Sequence, residues 1–127
     1  MSTNTNPDAA SASNMRDNPC YGYDPNVASL KVYADDEHSY LLPYAQLLYV
    51  EMIPNPALEK NADAPPEKLV ICFAAAEVTV LGCGLQAVAR NIQKCDLNFV
   101  RAVGRHFASS LKTHVVAVAV KFTKQEI

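Results

Sequence analysis

The spacing of apolar residues changes once along this chain, from a period of two before Gly82 to a helical period after Gly84. Five segments before Gly82 either alternate in the way of half-buried strands or are apolar on both faces. They are residues 28–34, 39–42, 47–53, 68–74 and 78–81. Charged turns and a proline-rich loop separate them, so the pattern predicts an antiparallel meander of about four strands.

The remainder of the chain is predicted to be mainly helical. Apolar residues over 85–94 recur at intervals of three and four, as on one face of a helix. A four-residue recurrence predicts a second helix over 96–111, although Gly104 would cost it about 1 kcal/mol relative to Ala. A strand over 97–101 is the alternative for the start of that segment. An alternating strand over 114–122 ends the pattern and should join the sheet.

These elements predict an α+β fold: an antiparallel sheet, one or two helices on one face, and a C-terminal strand. A length of 127 residues, of which 50% are apolar, suits one domain with a single core. Residues 1–26 are rich in Ser, Asn, Asp, Ala and Pro and are predicted to be a flexible polar tail. Residues 27–127 are predicted to form the domain.

The sequence also predicts the compartment. No apolar run reaches the roughly 18 residues that cross a bilayer, and the polar N-terminus does not resemble a secretory signal. The four cysteines, Cys20, Cys72, Cys83 and Cys95, include no C-x-x-C pair and no metal-ligand spacing. We therefore expect reduced thiols in the cytoplasm, no metal and no membrane contact.

The segment from Val78 to Ala87, VTVLGCGLQA, resembles the dinucleotide-binding fingerprint G-x-G-x-x-G/A. The resemblance implies a phosphate-bearing ligand at the turn, with Gly82, Cys83 and Gly84 as the contacting residues. A Rossmann fold needs further parallel strands after this turn, whereas only about forty residues follow here. We therefore expect a turn in which the glycines permit close packing, and we predict no cofactor.

Cys83 is the one candidate nucleophile. A thiol between two glycines at the start of a helix would have its thiolate favoured by unpaired N–H groups and by the helix dipole. It would also need a base, and His106 and His114 are the histidines that could return to the turn. An inert half-buried cysteine is the alternative, so the sequence leans away from an enzyme.

The two parts of the chain before and after Gly82 carry net charges of opposite sign. Four basic and eleven acidic residues precede Gly82, whereas seven basic and two acidic residues lie from Gly82 onward. On the predicted helices, the basic residues form a candidate positive face: Arg90, Lys94, Arg101 and Arg105. Such a face could bind nucleic acid, but the formal net charge of −2 and the absence of interleaved aromatic residues disfavour that interpretation.

The sequence thus favours a non-enzymatic interaction or regulatory module that forms a homo-oligomer. The acidic half, with tyrosines along its strands, could meet the basic half of a second subunit, or the Val/Ala-rich last strand could pair at an edge. Two alternatives stay open: a small enzyme or sensor for a phosphate-bearing ligand at the Gly82–Ala87 turn, and a nucleic-acid binder.

Overall fold

A computed structural model of the protein describes residues 18–104 and 111–123. These residues form eight strands, one α-helix and two short 3-10 turns. The strands are β1 (Tyr21–Tyr23), β2 (Ser29–Tyr33), β3 (Ser39–Pro43), β4 (Leu47–Pro54), β5 (Glu67–Phe73), β6 (Ala76–Cys83), β7 (Leu97–Arg101) and β8 (His114–Phe122). The helix, α1, is Gln86–Gln93, and the 3-10 turns are Tyr44–Gln46 and Pro56–Glu59.

The strands form two sheets of four. The first sheet has the order β1-β7-β2-β3, in which β7 runs parallel to β2 and the other pairs are antiparallel. The meander sheet has the order β4-β5-β6-β8 and is antiparallel throughout. β4 and β8 are therefore the two edges of the meander sheet, and β5 is an interior strand, as its two apolar faces predict.

Both sheets contribute to one hydrophobic core. The first sheet supplies Leu30 and Val32 from β2, the meander sheet supplies Ile71 and Val80, and the helix supplies Ile92, all at most 1% exposed. Tyr44 lies in the 3-10 turn between β3 and β4, and its hydroxyl donates to the Leu97 carbonyl of the first sheet at 2.8 Å. Burial raises the pKa of that phenol.

The end of α1 follows from a backbone motif rather than from a glycine. Cys95 has a φ of 56°, its N–H donates to the Ile92 carbonyl, and the next N–H, of Asp96, donates to the Asn91 carbonyl. This is the Schellman arrangement, which usually places glycine at the left-handed position. It turns the chain from α1 directly into β7.

The predicted fold class is confirmed: an antiparallel sheet, a helix and a C-terminal strand that joins the sheet beside β6. The predicted helix over 96–111 is wrong at its start, where Leu97–Arg101 is strand β7. The strand prevails because its Leu97 and Val100 side chains are completely buried while its backbone pairs with both β1 and β2. Residues 105–110 lie outside the described residues.

The structure also places β1 inside the segment whose composition predicts a tail. Tyr21, Gly22 and Tyr23 pair with β7, and the preceding Cys20 is completely buried in the core. Residues 1–17, the rest of that segment, lie outside the described residues.

Candidate functional site

The glycines of the Gly82–Ala87 segment lie against backbone of the same chain. A Cβ on Gly82 would overlap the carbonyl oxygen of His114, and a Cβ on Gly84 would overlap that of Lys112. Gly84 also has a φ of 65°, which favours glycine. The two glycines therefore permit β8 and the residues before it to approach the end of β6.

A carboxylate of the protein occupies the start of α1. The Leu85 N–H donates to Glu67 Oε1 at 2.8 Å, and the Thr113 hydroxyl donates to the Gly84 carbonyl at 2.7 Å. A helix N-terminus attracts anions, and here Glu67 supplies one from β5. These contacts give the turn a structural role, and they leave the proposal of a phosphate-bearing ligand without support from the geometry.

Cys83 and His114 are cross-strand partners at the end of the β6–β8 ladder. His114 is only 2% exposed, and its Nε2 lies 3.0 Å from the Val103 carbonyl oxygen and 3.1 Å from that of Gly104. Since both partners are acceptors, Nε2 carries the proton and donates to them. The buried imidazole thus holds the chain after β7. The other candidate base, His106, lies outside the described residues.

The remaining cysteines are free thiols in different environments. Cys20 is buried and its Sγ accepts the Val115 N–H at 3.2 Å, whereas Cys95 is exposed and Cys72 half-buried. Burial raises the pKa of the Cys20 thiol. Within residues 18–104 and 111–123, no three ligating side chains are placed to hold a metal ion.

The four residues of the predicted basic face do not all lie on helices, although the sequence predicted that they do. Arg90 lies on α1 and Lys94 is its C-terminal cap, but Arg101 lies on β7, and Arg105 lies outside the described residues. Phe99 lies on the same strand, two residues before Arg101. Because residues two apart on a strand share a face, Phe99 and Arg101 lie side by side, so basic and aromatic residues do interleave there.

The outer edge of β8 is covered by other parts of the chain. Asp35 brackets Val118: its N–H donates to the Val118 carbonyl at 2.9 Å, and its Oδ2 accepts the Val118 N–H at 3.1 Å. The Val103 N–H donates to the Val115 carbonyl at 3.0 Å, and Cys20 Sγ accepts the Val115 N–H. The last strand is therefore not a free edge at these positions.

The outer edge of β4 has no such cover among the described residues. The Asn55 N–H bonds to the Pro66 carbonyl, which continues the β4–β5 ladder. Residues along an antiparallel strand direct their backbone N–H and C=O groups alternately to one neighbour and to the other side. The backbone groups of Glu51 and Ile53 therefore face β5, and those of Val50 and Met52 face outward. No hydrogen bond from the described residues meets them.

An apolar groove runs along this edge. It has a volume of about 520 Å³ and lies between β4 and the end of α1. Its lining includes Leu48, Val50 and Met52 from β4, and Ala89 and Ile92 from α1. Leu48 is 63% exposed and Met52 39%. The alternating pattern predicted strand β4, but nothing in the sequence indicated that β4 is an edge strand whose outer backbone groups lack a partner among the described residues.

The chain matches no known protein-family model, no curated protein and no solved structure. Across the described residues, no helix combines the length and the apolar character needed to cross a membrane. A functional assignment therefore has to come from the contacts and surfaces of this molecule.

Proposed function

We propose that this protein is a non-enzymatic interaction module that forms a homodimer by pairing β4 of one copy with β4 of another. The observation that carries the proposal is the outer edge of β4, where no described residue bonds to the backbone N–H and C=O groups of Val50 and Met52, which face away from β5. Exposed edges of this kind pair readily with another strand.

The side chains around the edge favour an apolar partner. Leu48 and Tyr49 are more than half exposed, at 63% and 57%, and Met52 lies beside the groove. Glu51 is the one charged residue of β4. A second β4 would cover this apolar surface and fill part of the groove with matching side chains.

Charge sets the register of the pairing. An antiparallel arrangement centred on Glu51 would place two carboxylates opposite each other, which destabilises a strand pair. An arrangement centred on Met52 places each Glu51 opposite the partner's Ile53 and pairs Met52 with its own copy. The Val50 N–H then donates to the partner's Pro54 carbonyl, and Pro54, which lacks an N–H, ends the ladder.

Two other routes to self-association receive less support. Pairing through β8 would have to displace Asp35 and Val103 from the edge groups of Val118 and Val115. A single tyrosine-lined face is not formed either, because Tyr33 lies on the first sheet, Tyr49 lies on the meander sheet and the Tyr40 ring packs edge-to-face against Phe122. An enzymatic role finds no support at Cys83, since the partner His114 is buried and bonded to backbone carbonyls.

Light scattering after size exclusion tests the proposal, with a charge pair at position 52. We expect wild type to be a dimer at about 50 mM and about 500 mM salt, because the contacts are apolar and backbone ones. Met52→Lys and Met52→Glu should each be monomeric, because position 52 lies opposite position 52 of the second copy and each variant therefore places two like charges side by side. An equimolar mixture of the two should recover a dimer, because opposite charges then meet.

The matched control is Leu41, an apolar residue that is 68% exposed on β3, the edge of the first sheet. Leu41→Lys and Leu41→Glu should leave the wild-type mass unchanged. A wild-type monomer at both salt concentrations would overturn the proposal. So would a dimer that survives both Met52 variants, or a dimer lost in the Leu41 variants instead.

A further inference from the structure

Two aromatic rings and two cations alternate on the outer face of the first sheet. Lys31 and Tyr33 project from β2, and Phe99 and Arg101 project from the adjacent parallel strand β7. In the register of these strands, Lys31 lies opposite Phe99, and Tyr33 lies opposite Arg101. Each cation therefore has a ring beside it and a ring across from it.

The distances show that these side chains form one cluster. The two ring centroids are 6.2 Å apart and the rings are nearly perpendicular, at 80°. The Arg101 guanidinium carbon lies 5.5 Å from the Phe99 ring and 6.0 Å from the Tyr33 ring, and Lys31 Nζ lies 5.0 Å from the Tyr33 ring. All of these separations suit aromatic and cation–π contacts.

Contacts with β1 and with the residues before it hold two side chains of the cluster in place. The Phe99 ring lies against Gly22 of β1, where a Cβ would come within 2.6 Å of the ring. Arg101 Nε donates to the Pro19 carbonyl at 2.7 Å. The aromatic and cationic groups are thus positioned before any partner arrives, which lowers the entropy cost of binding.

The charges of the cluster are unpaired by acidic groups. Within the part of the chain that the structure describes, no carboxylate lies within ion-pair distance of Lys31 or Arg101; the one contact of this kind, between His38 and Asp36, is an ion pair only when the imidazole is protonated. The acidic residues Asp36 and Glu37 lie in the turn beyond Tyr33, at one end of the face. Asp24 and Asp96 lie at the other end, directly after β1 and directly before β7, so an anionic chain would cross β7 and β1 between the two acidic ends.

A groove extends from the cluster in that direction. It has a volume of about 410 Å³ and is lined by residues of β1 and β7, including Tyr23, Asn98 and Phe99. Asn98 is exposed beside Phe99, at the irregularity where β1 and β7 change register. An amide presents both a donor and an acceptor, which suits the polar edge of a nucleobase.

We propose that this face binds single-stranded nucleic acid, with bases stacked on Phe99, Tyr33 and the Arg101 guanidinium and with phosphates drawn to Lys31 and Arg101. Stacking of bases on sheet aromatics beside cations is the general means by which proteins hold unpaired strands. An acidic peptide would satisfy the two cations but would leave the two rings without a partner. The site lies on the other sheet from β4, so its occupancy is independent of the proposed dimer.

Fluorescence anisotropy of the full chain with a labelled oligothymidine of about twelve nucleotides tests the proposal. We expect binding at about 50 mM salt with a slope of log K against log salt near −1.4, as two neutralised phosphates predict. Phe99→Leu keeps an apolar cover on Gly22 but removes the ring, and it should weaken binding about tenfold. Arg101→Gln should weaken binding and make the salt slope shallower.

The matched controls carry the same chemistry elsewhere: Phe122→Leu removes an exposed ring from β8, and Lys121→Gln removes an exposed cation from the same strand. Both should bind as wild type does. The melting temperature of each variant shows that it is folded. The proposal is overturned if wild type does not bind, if Phe99→Leu binds normally, or if polyphosphate or polyglutamate displaces the oligonucleotide as well as unlabelled oligothymidine does.

Discussion

The two edges of the meander sheet differ in what covers them. Along β8, Asp35, Val103 and Cys20 take up backbone groups that face away from the sheet. Along β4, the outward groups of Val50 and Met52 meet no partner among the described residues. Among the described residues, one edge of this sheet is thus covered and the other is open, although both strands are apolar and of similar length.

The difference shows how an edge is closed by chain that is distant in sequence. Asp35 comes from the β2–β3 turn of the first sheet, and Cys20 precedes β1. β8 also carries Val116, Val118 and Val120, the kind of edge that would otherwise pair with another molecule. β4 instead ends at Pro54, is followed by Pro56 and has a bulge near Leu48; these features shorten its uncovered stretch, and no described residue bonds to the rest of it.

The largest expected loss of stability comes from adding a side chain at the glycines where β8 and the residues before it approach the end of β6. Gly82→Ala and Gly84→Ala should each reduce the free energy of unfolding by about 3 kcal/mol, because a Cβ would overlap backbone that cannot move aside. Urea denaturation measures the loss. Gly22→Ala is the control, since its Cβ would meet the Phe99 side chain, which can shift. Equal losses at all three glycines would contradict this account.

A smaller effect is expected when the cover of β8 is removed. Asp35→Ala should cost about 1–2 kcal/mol, because the Val118 N–H loses its acceptor. Asp35→Asn keeps an acceptor oxygen and should cost less. Hydrogen exchange of the Val118 amide, followed by NMR, should accelerate in the alanine variant. An unchanged exchange rate would mean that Asp35 does not close this edge.

The smallest effect concerns the open side, where Cys95 lines the groove beside β4. Cys95 is exposed and has a φ of 56°. Cys95→Gly should raise the free energy of unfolding by about 1 kcal/mol, because glycine adopts this conformation without steric cost. Thermal unfolding measures the change, with Cys95→Ala as the control for loss of the thiol. If the Cys95→Gly protein is no more stable than the Cys95→Ala protein, the left-handed conformation at position 95 does not strain the wild-type chain.

Part of the candidate site was predictable from sequence and part was not. The alternation over 47–53 located β4, and the two glycines marked a close approach of backbone. Because the sequence predicted a helix that begins at residue 96, in which Phe99 and Arg101 would lie on different faces, it did not predict the cluster on the first sheet. A run of five residues such as Leu97–Arg101 fits both periods, and only its neighbours decide between them.

The sequence by itself determined the α+β class, most strand positions, the helix after Gly84 and the need for glycine at positions 82 and 84. These depend on local periodicity and on sterics within a few residues. Only the tertiary structure decided that the strands divide into two sheets and that β7 lies between β1 and β2. It also decided that, within residues 18–104 and 111–123, β8 is covered while β4 is open. Those features arise from contacts between residues far apart in the chain, which no local pattern encodes.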